Sequence, residues 1–329
     1  MPDAYDTIFP RNYWGRSAIK VFNGDGTHLA SVPTRFLAAS KSNTWAWVTE
    51  AVERICGIEF DCAPGYVDDK TRAEVELGTP PYEGSFTLAW TTGTTPPTTA
   101  FLPLPPHTAY LAMVAAQRRF VAPGPGSPGS ESGRSDESGV SGETSYSAHF
   151  YSSTVAANAG GKCLITGGDE NLHATPLVPQ ALGEDRLGHI AGEDSLSEYH
   201  PSLGISLDCS LSQYYLSLRL AFLPLRKAAL FSDNGAAAAA QASSTTEAWV
   251  VHFFIPPGEP EDPGSIAAAI YAAYASCHGQ VITIRGKESL RPSWRFASYH
   301  YTQCLRMRFG GTLPNRATVP QKRQSEGTP

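Results

Sequence analysis

The residues best able to do chemistry lie in one central stretch, 160–224. Asp169 and Glu170 stand in a Gly-Gly-Asp-Glu-Asn turn, His173 follows, and His189, Glu193, Asp194, His200 and Asp208 are spread through the polar sequence beyond it. Imidazole and carboxylate groups can hold a divalent ion that activates water, or move a proton at a reacting atom. Such a site needs ligands that converge in space. His173, His200 and Asp208 are the trio that a shifted strand register could bring together, and a divalent cation would then be their cofactor. Without that convergence they are exposed loop residues, and the expectation is no metal and no cofactor.

Other chemistries find little support. A Gly-x-Gly-x-x-Gly match at Gly124, Gly126 and Gly129 falls in Pro- and Ser-rich sequence and not between a strand and a helix, and the chain has no P-loop and no Gly-x-Ser-x-Gly elbow, so the common nucleotide and serine-hydrolase sites are not indicated. The six cysteines, Cys56, Cys62, Cys163, Cys209, Cys277 and Cys304, form no Cys-x-x-Cys pair. They read as reduced structural thiols, not as a zinc site. Trp45, Trp47 and Trp90 read as core, Tyr214, Tyr215 and Phe222 as helix and strand packing, and His300 as a buried, hydrogen-bonded histidine.

The elements that must position these groups fall into blocks. Residues 10–121 form a mainly β region. AIKVF and HLASVPTRFL, across a Gly24-Asp25-Gly26 turn, are two strands. Ser42-Asn43 opens a helix whose Trp45, Val48, Val52 and Ile55 share a face, and Gly57 closes it. SFTLAW is a strand, the proline-rich 91–108 an extended connection, and 109–121 a helix. Residues 122–146, nearly all Gly, Ser, Pro and acid, are a disordered linker. The block 147–231 carries the central motif. It begins with a strand at Cys163–Gly167 and ends in LGISLDCSLSQYYLSLRLAFLP, with a helix-like QALGEDRLGHIAGE between. An Ala/Ser linker, 232–246, leads to a strand-helix region, 247–309. That region has strands at EAWVVHFF and QVITIRG, a helix from Ser265 to the turn at Gly279, and a helix from Pro292 to Leu305. Residues 310–329 are a flexible tail.

Composition narrows the function classes. The 329 residues carry a net charge of −6, and 41% are hydrophobic, enough for a real core. In the central block Lys162, Arg186 and Arg219 are outnumbered by Asp169, Glu170, Glu184, Asp185, Glu193, Asp194, Glu198 and Asp208. That balance repels a polyanion, so a small molecule or a protein is the expected partner rather than nucleic acid. No apolar run is long enough to cross a membrane, and MPDAYDTIFPRNYWGR lacks the layout of a secretory signal. The expected compartment is cytosol or nucleus, with no membrane partner.

The central block resembles the HNH endonuclease-like proteins of fungi. That family reads Cys-x-[Ile/Val]-Thr-Gly, then Asn-Leu/Val, then Ala-His-[Ile/Leu]-[Ile/Val]-Pro. Asn-Gly-Ile-x-Leu, Asp-x-His and a return strand follow after a spacer. This chain supplies Cys163, Ile165, Thr166, Gly167, Asn171, Leu172, Leu177, Val178 and Pro179. It then supplies Gly204, Ile205, Leu207, Leu211, Tyr215, Ala221, Phe222 and Pro224. The resemblance implies an α+β fold with a central ββα-metal unit, flanked by the β-rich and strand-helix regions. It also shows what is replaced. The family's general-base His falls at Pro176, its Asn at Leu203, its metal His at Ser212 and the preceding Asp at Ser210. Proline has no proton acceptor, leucine no side-chain hydrogen bond, and serine is a poor stand-in for imidazole. The implied function is a nuclease-like protein with a degenerate active site that binds or regulates. The alternative is a repurposed enzyme acting on a small molecule, as in fungal secondary metabolism. An open apolar pocket at Tyr214, Tyr215 and Phe222 would favour the alternative, and a basic groove at Arg118 and Arg119 would favour retained nucleic-acid binding.

Overall fold

Buried Ile19 and Val21 alternate with outward neighbours along β1 (Ala18–Phe22), the pattern of a half-buried strand. Asp25 and Gly26 turn the chain, with Gly26 at φ +85°, into the antiparallel β2 (His28–Pro33). The computed structural model describes residues 14–40, 42–58, 60, 64–90, 106–113, 147–225, 247–254 and 276–311. The expected linkers at 122–146 and 232–246, most of the proline-rich connection, Cys62, Arg118, Arg119, most of the expected helix after Ser265, and the tail beyond 311 lie outside those residues.

The second expected strand ends earlier than its sequence suggested. Pro33 has no N–H to give the ladder, and Thr34–Ala39 turns into a helix, α1, that buries Phe36 and Leu37. The next helix, α2 (Trp45–Cys56), is capped by Thr44 and not by Ser42 or Asn43. The Thr44 hydroxyl accepts from the Trp47 N–H at 3.2 Å, and Gly57 closes the helix at φ +69°. Thr44→Ala is expected to lose about 1 kcal/mol of stability, read from urea unfolding curves. β3 (Gly65–Asp68) and β4 (Gly84–Ala89) complete a four-stranded sheet of order β2-β1-β4-β3, in which β4 runs parallel to β1.

A helix with no amphipathic signature, α3 (Ala148–Asn158), precedes the central motif and buries only Tyr151 and Val155. The expected strand at Cys163–Gly167 is instead a tight turn. Cys163 N–H reaches Gly168 O at 2.6 Å, Gly167 N–H reaches Cys163 O at 2.9 Å, and Gly167 takes φ +73°. The strand comes later, as β5 (Leu172–Pro176). The polar stretch holds α4 (Glu184–Ala191), and β6 (Gly204–Asp208) returns antiparallel to β5, pairing Pro176 with Gly204 and His173 with Leu207. α5 (Cys209–Leu216) follows β6 without a break.

β7 (Leu220–Pro224), β8 (Glu247–Phe253) and β9 (Val281–Ile284) form an antiparallel sheet in that order. α6 (Trp294–Arg308) starts two residues later than expected, capped by Ser293, and packs on β7 and α2. Helices and small, mostly antiparallel sheets make this an α+β fold. The buried side chains run from Ile19 to Phe309 in one contiguous cluster. At its centre the Phe36 ring meets those of Trp14, Trp47, His252, Phe254, His278 and Phe309 at 5.0 to 5.7 Å. No described helix is long and apolar enough to cross a membrane.

Candidate functional site

The motif residues build a hairpin followed by a helix. Asp208 joins the two: its Oδ1 accepts from the Leu211 N–H at 2.9 Å, capping α5, and the Cys163 thiol donates to its Oδ2 at 3.6 Å. The helix runs back over the hairpin, so that Tyr215 Oη donates to Leu177 O at 2.8 Å, just past the end of β5. The positions singled out by the resemblance all fall inside this packed unit. Pro176 ends β5, Leu203 precedes the Gly204 that pairs with it, and Ser212 lies on the buried face of α5 with Leu211 and Tyr215. Pro176, Leu203 and Ser212 are all buried. Ser210 is exposed on the opposite side of the helix.

The alternative trio is not gathered. His173 pairs with Leu207 at the Asp208 end of the hairpin and is exposed. His200 lies beyond the opposite end, where it caps the turn before β6. Its Nδ1 accepts from Ser202 N–H at 3.2 Å and lies 2.7 Å from Ser202 Oγ, and burial lowers its pKa. Three residues of strand, about 10 Å, separate His173 from the hairpin end nearer His200. Asp208 is occupied as a helix cap. Asp169, Glu170, His189, Glu193 and Asp194 are exposed, and no three His, Cys, Asp or Glu side chains among the described residues could together hold a metal ion.

The thiols are no better placed for chemistry. Among the described residues no disulfide joins Cys56, Cys163, Cys209, Cys277 and Cys304 to one another. Burial pushes the Cys56 thiol up to about 12. Burial also raises Cys277, opposed by a Ser276 hydrogen bond and reinforced by nearby Cys163 and Asp208. A thiol held protonated is a poor nucleophile and a poor ligand. Tyr215 and Phe222 have no open face, and Tyr214 is half-buried. Tyr215 stacks on His300 at 3.9 Å and on Phe222 at 5.5 Å, and all three are buried. His300 is hydrogen-bonded as expected, with Tyr110 Oη 2.5 Å from Nδ1 and Leu220 O 3.2 Å from Nε2.

A shallow surface depression with a volume of about 10 Å³, room for roughly one water, lies where α3, β6 and the end of β9 meet. Val155, Leu164, Ile205, Ile284 and Pro292 give it apolar walls, and Asn158, Ser206 and Arg285 are its polar groups. Its backbone is fixed by close approach. Asn158 Nδ2 donates to Leu290 O at 3.0 Å, and a Cβ on Gly286 (φ +118°) would lie 2.7 Å from Asn158 Oδ1.

No protein-family model matches this chain, and neither a curated protein nor a solved structure matches it. Of the residues lining the depression, Ile205 was singled out by sequence only as a motif match, and the polar Asn158, Ser206 and Arg285 were not singled out. Arg285 ends an alternating strand just before a glycine, a weak cue. Asn158 sits in a helix without a polar and an apolar face, and carries no cue at all.

Proposed function

We propose that β5, β6 and α5 form an HNH-like ββα scaffold that no longer supports metal-assisted DNA cleavage, and that the chain acts as a binding or regulatory module. Its partner in this reading is a small molecule or a protein, not nucleic acid. The observation that carries the reading is the burial of Pro176, Leu203 and Ser212 in the hairpin-helix unit. A hydrolytic metal site keeps an open coordination position and polar ligands, whereas these three positions serve packing. The exposed acids around them would oppose a phosphate backbone.

The test is metal content of the purified protein, together with nicking of supercoiled plasmid in Mg²⁺ or Mn²⁺. The expected result is no stoichiometric metal and no nicking. One equivalent of metal, with nicking abolished by His173→Ala, would overturn the reading.

A further inference from the structure

We infer that His278 is an acid-sensitive latch that holds the turn before β9, residues 276–280, against α1 and β8, and that one proton on its ring releases the turn while the rest of the chain stays folded.

The ring bridges two elements. Its Nδ1 accepts from the Phe253 N–H of β8 at 2.9 Å, and its Nε2 stands 3.2 Å from Phe36 O in α1. A backbone N–H can only donate, so the closed latch needs a lone pair on Nδ1 and keeps its one proton on Nε2. A second proton turns Nδ1 into a donor. Phe253 N–H then faces another N–H, and the bridge to β8 is lost. The same turn gives β8 two backbone bonds, Gly279 N–H to Val251 O at 2.8 Å and Val251 N–H to Gln280 O at 2.9 Å. It also lies flat on the corner after α1, where a Cβ on Gly279 would sit 2.7 Å from Ala39 O.

Position in the fold makes the event local. His278 is the outermost of the three buried histidines, 7% exposed against 0% for His252 and 1% for His300, and Ser276 at the start of its turn is exposed. Moving the turn and Trp14, whose ring lies 4.8 Å from the imidazole, uncovers it without parting β7 from β8. The described groups that face the ring are uncharged near neutral pH. β8 presents His252, with ring centroids 5.5 Å apart, and α1 presents the Phe36 ring and carbonyl. The neighbouring Cys277 thiol is kept protonated by burial. Burial lowers the His278 pKa to about 4, opposed by Phe36 O. In the open turn the ring returns to about 6.5. The latch is therefore at full strength above about 6.5, and its opening constant rises about tenfold for each pH unit below that, down to the folded value.

This device stands apart from whatever the chain binds. The experiment is amide hydrogen exchange of the full chain, read by NMR at Phe253, Gly279 and Phe254 from about pH 7 to about pH 5 and corrected for intrinsic exchange. Phe254 N–H is the control, since it bonds to Arg219 O at 2.8 Å, on the β7 side of the same strand. Phe253 and Gly279 are expected to be less protected than Phe254 at every pH, and to lose about tenfold in protection per unit below about 6.5. His278→Gln is expected to abolish that slope at Gly279. The inference is overturned if Phe253, Gly279 and Phe254 exchange together at every pH, if Phe253 and Gly279 show no slope, or if the slope survives in His278→Gln. Should that variant fail to fold, the comparison of the three amides in the unaltered chain decides alone.

Discussion

Gly279→Ala is expected to cost about 2–5 kcal/mol of folding stability, far more than the same change at Gly26. Both glycines have left-handed backbone, φ +75° and φ +85°. An alanine pays about 1–2 kcal/mol for that conformation wherever it stands. The difference is what surrounds the new methyl. At Gly26 nothing lies within 4 Å. At Gly279 the Cβ would sit 2.7 Å from Ala39 O and 2.8 and 2.9 Å from Ser40 C and O, all backbone atoms that cannot rotate away. The turn cannot retreat either, because Gly279 N–H donates to Val251 O at 2.8 Å, in the middle of β8. Relief must come from separating β8 from the corner after α1, and that gap is the one crossed by the 3.2 Å contact of His278 Nε2 with Phe36 O. Urea unfolding of the two variants, followed by tryptophan fluorescence, gives the comparison. Equal losses would mean that the corner yields freely and that close approach contributes nothing.

Much of the fold was legible because the local signals were strong. Ile19 and Val21 alternate, Trp45 to Ile55 hold one helical face, Gly57 sits where a left-handed cap is needed, and the apolar runs of β7 and β8 have the composition of buried strands. What could not be read is of three kinds. Some elements carry no periodic signal, such as α3, whose apolar residues are spread around its circumference. Some signals are shared by two outcomes. Cys163-Leu164-Ile165-Thr166 has strand composition, but Gly167 and Gly168 close it into a turn, and the strand is delayed to the less hydrophobic Leu172–Pro176. Other facts belong to assembly alone. The parallel pairing of β1 with β4, and the placement of Arg285 beside Val155 and Ile205, depend on contacts between residues far apart in the chain. The same holds for the trio His173, His200 and Asp208. Their types were correct for a metal site, but a hairpin places the first near one end and the second beyond the other, and the third was needed to start a helix.

Stability is expected to fall steeply as the pH drops from about 6.5 toward 4, because three buried histidines are held neutral. Their partners fix the protonation. His278 Nδ1 accepts from Phe253 N–H at 2.9 Å, so its proton is on Nε2, facing Phe36 O. His300 faces Leu220 O with Nε2 and takes the Tyr110 hydroxyl on Nδ1. His252 meets Tyr301 Oη at 2.7 Å and Ser42 Oγ at 3.4 Å. A second proton would set N–H against N–H at Phe253 and place a charge among Phe36, Phe254 and Trp47. Burial accordingly lowers the pKa of His278 to about 4 and of His300 to about 3, and burial together with neighbouring His278 pulls His252 well below its ordinary value. The unfolded chain binds these protons near 6.5 and the folded chain does not. The contribution is therefore complete above about 6.5 and is lost as the pH falls through the folded values. His278 alone accounts for about 3 kcal/mol across its window, since one pKa unit is about 1.4 kcal/mol. His252 and His300 act in the same direction, so stability is expected to keep falling as the pH approaches 4. His278→Gln retains an acceptor and a donor without the titration, and should flatten the dependence of unfolding free energy on pH by about one proton. Urea curves taken at half-unit steps from pH 7.5 to pH 4.5 measure it. A profile that stays level across that range would mean that the unfolded state takes up no more protons than the folded one, and that these histidines are open to water in the folded chain.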